Sequence, residues 1–132
     1  MEKDGAVDVV KVGEINPKHF ENVFQILTND VVITEKQIAH IMARHPQDYM
    51  HYAGYIPQIL SDPDYIIEAN RAYSAVLMKS FTGDGERFQL VLRLRAANDP
   101  DTYRNSIITF LRIREKEWNR LISNKRILYK SV

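Results

Sequence analysis

A chain of 132 residues, 45% of them apolar and none of them cysteine, can build one buried core but has no material for a disulfide scaffold or a thiolate metal site. The net charge of +1 hides an asymmetry. Residues 1–86 hold 7 Lys and Arg against 13 Asp and Glu, whereas residues 87–132 hold 11 against 4, so the C-terminal part can either attract a polyanion or simply solvate an exposed face.

No stretch approaches the roughly 18 apolar residues needed to span a bilayer, so a membrane partner is not expected. Met1-Glu2-Lys3-Asp4-Gly5 has no apolar run behind it, so a secretory leader is not expected and the cytoplasm is the expected location. Asp8 to Val12 reads as a short strand. Pro17 is placed to open a helix in which Phe20, Val23, Phe24 and Leu27 recur at helical spacing. Val31 to Ile33 is a short extended segment. Thr34-Glu35-Lys36-Gln37 forms a capping box, with Thr34 as cap and Gln37 reaching back, and predicts a helix over Gln37 to Arg44. Pro46 then drives His45 out of the helical region. Asp48 to Ile56 reads as a second helix, with Pro57 opening a further turn through Leu60 and a loop at Ser61 to Asp64.

The period changes after that loop. Tyr65 to Glu68, Tyr73 to Phe81, Phe88 to Ala96 and Asn105 to Ile113 read as strands, the second and third joined by the glycine-bearing Thr82 to Glu86 connection. In the third, Phe88, Leu90, Leu92, Leu94 and Ala96 share one face, and Gln89, Val91, Arg93 and Arg95 share the other. Asn98 to Asp101 is a turn cluster, Glu115 to Ile122 a helix, and Arg126 to Lys130 a last extended piece. The expected fold class is α+β, with N-terminal helices packed on a roughly four-stranded antiparallel sheet in one domain over residues 1–132.

His40 and Arg44 lie four residues apart on one face of the capped helix, and His45 follows at its end. An imidazole titrates near neutrality and moves protons, and a guanidinium one turn away can fork a phosphate. The same residues would also suit the polar flank of an amphipathic helix, with His45 capping its C-terminus. His40, His45 and His51 are spaced five and six apart, which points them in different directions on a helix, so no metal site and no cofactor are expected. Gly83 and Gly85 fall in a hairpin and do not cradle a phosphate before a helix, and no nucleophile elbow is present. The strands offer Lys79, Arg93, Arg95, Ser106 and Thr109, and seven tyrosines are available for stacking or core packing.

Three pieces of the chain carry a resemblance. They are Ile33-Thr34 followed by His40-Ile41-Met42-Ala43-Arg44-His45-Pro46; Ile56-Pro57, Ile59-Leu60 and Asp62-Pro63-Asp64-Tyr65-Ile66; and Asn105-Ser106-Ile107-Ile108-Thr109-Phe110. Together, from about Val10 to Tyr129, they resemble the phage-associated Barnase–EndoU–colicin–RelE-like (BECR) nucleases, found in phage head and polyvalent proteins and in bacterial toxins. The resemblance implies helices followed by a four-stranded antiparallel sheet. It also implies a metal-independent endoribonuclease in which the RNA 2′-hydroxyl attacks its own adjacent phosphate to leave a cyclic phosphate. His40 is then the first acid/base residue and His45 the second. Arg44, Lys79 and Arg93 hold the phosphate, Thr109 and Ser106 donate hydrogen bonds to it, and Arg95 binds substrate nearby. The chemistry needs a base, an acid and cations for the phosphorane. The expected cleft sets His40 and Arg44 against Lys79, Arg93 and Thr109, on a sheet face left free of helices.

The implied partner is RNA, within the cytoplasm or after delivery into that of a target cell, with room for a cognate immunity or antitoxin protein. The domain would serve alone or as a module of a larger phage or toxin protein. Two rivals stand beside this reading. One is a catalytically silent phage structural or nucleic-acid-binding module of the same fold. The other is a protein-binding domain, which the acidic N-terminal half suits and the basic strands do not.

Overall fold

The computed structural model describes residues 8–131, so the Met1–Gly5 stretch, on which the expectation about a leader rests, lies outside the described residues. Strands β1 (Val9–Glu14), β2 (Asp30–Thr34), β3 (Tyr65–Glu68), β4 (Ser74–Ser80), β5 (Arg87–Arg93), β6 (Asn105–Ile113) and β7 (Ile127–Lys130) form one sheet in the order β1-β2-β6-β5-β4-β3-β7. The meander β3-β4-β5-β6 is antiparallel throughout and corresponds to the four expected strands. Among the described residues the sheet has seven strands, however, because the three short extended segments join its edges. β7 pairs with β3, and β2 pairs in parallel with β6 through Val31 opposite Asn105 and Val32 opposite Ser106. Four to six residues carry too little period to reveal a partner, and burial of the meander edges supplies one.

Helix α1 (Glu35–Arg44) ends where expected and begins two residues before the expected Gln37, directly after the Thr34 cap, whose Oγ1 accepts the Gln37 backbone N–H at 3.0 Å. The Gln37 side chain does not close the box. It donates instead to the carbonyl of Ile108 on β6. His45 leaves the helical region at φ −138° and ψ 60°, and Pro46 opens α2 (Pro46–Tyr52). The second expected helix is interrupted by a 3₁₀ turn at Ala53–Tyr55, after which Pro57 sits in the first turn of α3 (Ile56–Ser61). The helix expected after Pro17 contracts to a 3₁₀ turn, Pro17–Phe20. Phe20 is buried there, but Val23 and Leu27 are 36% and 37% exposed, because the chain must turn back for the Ile15 N–H to reach the Asn29 carbonyl at 2.9 Å.

The main core lies between α1–α3 and one face of the sheet, where Phe88, Leu90 and Leu92 meet Ile41, Ile59, Leu60 and Phe110. α3 approaches β1 so closely that a Cβ on Gly13 would sit 3.0 Å from Leu60 Cδ1 and 3.3 Å from Pro57 Cα, and the strand bulges between Lys11 and Gly13. A second, smaller core lies on the opposite face, where α4 (Glu115–Asn124) sets Leu121, Trp118 and Ile122 against Ile67, Val76, Met78, Val91 and Ile113. Among the described residues no helix is long and apolar enough to cross a membrane.

Candidate functional site

The pairing of β4, β5 and β6 decides which polar residues can meet. Lys79 stands opposite Phe88, and Leu77 opposite Leu90, so Lys79 belongs to the face that packs on α1–α3. Ser74 stands opposite Arg93, Arg93 opposite Ser106, and Val91 opposite Thr109. Arg93, Ser106 and Thr109 therefore share the other face, and Lys79 is not brought together with them. That second face is not free of helices as expected, because α4 covers the half around Val76, Met78 and Val91. What stays uncovered is the half bearing Arg93, Ser106 and Thr109, with a bulge in β6 between the residues facing Val91 and Leu92.

Most cations of the sheet already hold carboxylates. Arg93 forks Asp99, through Nη1 to Oδ2 and through Nη2 to Oδ1 at 3.3 Å. The Arg93 guanidinium and the Ala96 N–H at 2.8 Å hold the Asp99 carboxyl below its ordinary pKa, and Asp99 in turn raises that of Arg93. Arg95 Nη2 lies 3.3 Å from Asp101 Oδ1, while its buried Nε has no partner among the described residues. Lys79, 9% exposed, is clamped by Asp62 at 3.1 Å and Asp64 at 3.4 Å, and Asp64 also accepts the Ser80 N–H at 2.7 Å.

His40 and Arg44 differ from these. Both are exposed on α1, and neither side chain has a hydrogen bond or ion pair among the described residues. Arg44 lies seven residues after Gln37, about 20° away around the helix, and His40 about 60° away. Gln37 reaches β6 at Ile108, so the flank that carries both residues borders β6. It can do so because β2 pairs with β6 only as far as Ser106, and α1 and α2 run along the remaining edge. His45, half-buried, ends α1, and its backbone N–H donates to the Ile41 carbonyl at 2.6 Å.

A polar cluster at the other end of β6 was not anticipated from the sequence. Arg112 Nη1 lies 3.2 Å from Glu86 Oε2 and Nε 3.6 Å from Asp48 Oδ1, with the guanidinium 5.6 Å from the Tyr52 ring centre. Asp48 also accepts the Arg112 N–H at 3.0 Å. Alternation along β6 was the available signal, since it sets Arg112 on the same face as Ile107 and Phe110, where a charge needs partners. The depression there is lined by Asp48, Glu86 and Glu115 against Arg87, Arg112 and Arg114. That balance of charge does not favour a polyanion. Among the described residues no group of three or more His, Asp or Glu is placed to hold a metal ion.

The uncovered half-face thus offers two hydroxyls and a fixed guanidinium, and the neighbouring flank of α1 offers an unengaged imidazole and guanidinium. Such groups can bind phosphate oxygens and move a proton. Residues 8–130 match the model of a family described as phage-Barnase-EndoU-ColicinE5/D-RelE like nuclease2. No curated protein and no solved structure matches the chain.

Proposed function

The chain belongs to the phage-Barnase-EndoU-ColicinE5/D-RelE like nuclease2 family, and from that premise we propose that it is an endoribonuclease acting without a metal ion, as a toxin or phage effector module. The RNA 2′-hydroxyl attacks the adjacent phosphorus, the bond to the 5′-oxygen breaks, and a 2′,3′-cyclic phosphate remains. His40 exchanges protons with these oxygens, and His45 is the second titratable group on the same helix. Arg44 holds the non-bridging oxygens, Thr109 and Ser106 donate hydrogen bonds to them, and Arg93 and Arg95 flank the substrate while keeping their carboxylates. Lys79 remains with Asp62 and Asp64 on the opposite face and is given no phosphate role. The substrate is cytoplasmic RNA, and a cognate immunity or antitoxin protein would act by covering the α1 flank.

The observation that carries this reading is the exposure of His40 and Arg44 on one helix flank, with no side-chain partner for either among the described residues. A second reading, a silent nucleic-acid-binding or phage structural module, draws on the neutralisation of Arg93 and Lys79. Incubation with total RNA in EDTA, followed by end-group analysis, separates the two. Cyclic phosphate ends are expected, and His40→Ala should slow their formation by roughly 10²–10⁴-fold. Binding without cleavage, or full activity in both His40→Ala and His45→Ala, would sink the catalytic reading.

A further inference from the structure

Five of the seven tyrosines make ring contacts: Tyr49, Tyr52, Tyr55, Tyr65 and Tyr129. Tyr73 and Tyr103 make none among the described residues, and each is 51% exposed. Both lie on segments next to Arg93, since Ser74, which follows Tyr73, stands opposite it and Asp99, in the turn before Tyr103, forks it. The Tyr73 carbonyl accepts the Leu94 N–H at 2.7 Å, next to Arg93, and both phenols fall within electrostatic range of Arg93. Tyr103 closes the turn after Asp99, with its N–H on the Pro100 carbonyl at 3.0 Å. Asp99 pins the Arg93 fork.

Tyr73 is also the one non-glycine residue with positive φ among those described, at 58°. Glycine or asparagine would take this left-handed position more readily than a bulky aromatic. A ring held in a disfavoured backbone conformation, half in water and packed on no other ring, gains little for the fold. Such an outlier points toward function. Arg71, exposed and without a partner among the described residues, lies two residues before it, and Arg104 follows Tyr103 directly.

We propose that Tyr73 and Tyr103 form a stacking subsite for unpaired bases of single-stranded RNA, with Arg93 near both tyrosines and Arg71 and Arg104 beside the phosphates. The proposal rests on the nucleic-acid reading above and deepens it. Bases stack on aromatic faces whatever their sequence, but only when they are not already stacked in a duplex. The subsite adjoins Ser106 across the β5–β6 pairing, so bases held there would lead the strand along the uncovered half-face.

The test uses a fluorescein-labelled 2′-O-methyl oligonucleotide, which lacks the attacking hydroxyl, as a single strand and as its duplex, with anisotropy read at fixed low salt. The intact chain is expected to bind the single strand more tightly. Tyr73→Ala and Tyr103→Ala should each weaken that binding about 10-fold and leave duplex binding unchanged. Tyr73→Phe should bind like the parent chain. Tyr73→Gly, which relieves the backbone, should lose binding while melting no lower than the parent, which separates stacking from folding. Unchanged binding in both alanine variants overturns the subsite, as do equal loss in Tyr73→Phe, equally tight duplex binding, or no binding by the parent chain. Cleavage of total RNA is scored separately. A chain that cuts RNA but is indifferent to both tyrosines keeps the nuclease reading and loses the subsite. One that binds through them but never cuts does the reverse.

Discussion

The ring of His19 stacks on that of Tyr129 with centroids 4.2 Å apart, and its Nδ1 is buried with no partner among the described residues. Burial lowers its pKa from the ordinary 6.5, with Asp62 opposing the shift only in part. The folded state therefore takes up this proton later than the unfolded chain does. The neutral ring contributes its full stability above about pH 6.5, and that contribution falls away as pH drops toward the folded value. The urea midpoint should accordingly decline below about pH 6.5, and His19→Phe should flatten that decline; an unaltered pH profile would refute the assignment. The fate of Lys79 shows what was legible at this scale. The alternation in Phe88 to Ala96 was correctly readable, since Phe88, Leu90, Leu92, Leu94 and Ala96 are all buried. Which face Lys79 joins depends on register across the hairpin at residues 82–86. The Phe81 N–H on the Glu86 carbonyl at 2.9 Å closes that loop and sets Lys79 opposite Phe88. A list of strand residues has no such register, so Lys79 and Arg93 looked like companions.

Helix α4 divides the sheet's second face into a packed half and a solvated half. Trp118, Leu121 and Ile122 recur at helical spacing, and Trp118 meets Tyr65 edge-on at 6.0 Å. Leu121 is 7% exposed, so Leu121→Ala should cost about 2–4 kcal/mol in urea unfolding, and a loss well under 1 kcal/mol would mean that the helix is loosely held. The helix itself was readable from its sequence, but its destination was not. An amphipathic stripe says that a face is buried and is silent about which sheet face receives it. The capping box behaved the same way. Thr34 does cap α1, but Gln37 has a tertiary partner in Ile108 that outcompetes the local one. This exchange ties the helix bearing His40 to β6.

At the scale of the whole molecule, the basic C-terminal part is less free than its composition suggests. Arg93, Arg95, Arg104 and Arg112 have Asp99, Asp101, Asp30, Asp48 and Glu86 within 4 Å. RNA binding should therefore weaken with salt only moderately, with a slope of log affinity against log salt near −2, as two or three phosphate contacts on a single strand would give. A slope of zero would refute phosphate contact altogether. The seven-strand order of the described residues also leaves β6 with a long margin that no strand pairs and that α1 and α2 flank, because β2 stops pairing at Ser106. Two side chains stand guard there, Gln37 on the Ile108 carbonyl and Asp48 on the Arg112 N–H. Removing both would offer Ile107–Ile113 as a template for a strand from another molecule. The double variant Gln37→Ala, Asp48→Ala should therefore self-associate as its concentration rises, seen as growing light scattering, while each single variant stays monodisperse. The side chain that seats the helix of His40 would then also be what keeps one copy of the chain from zipping onto the next.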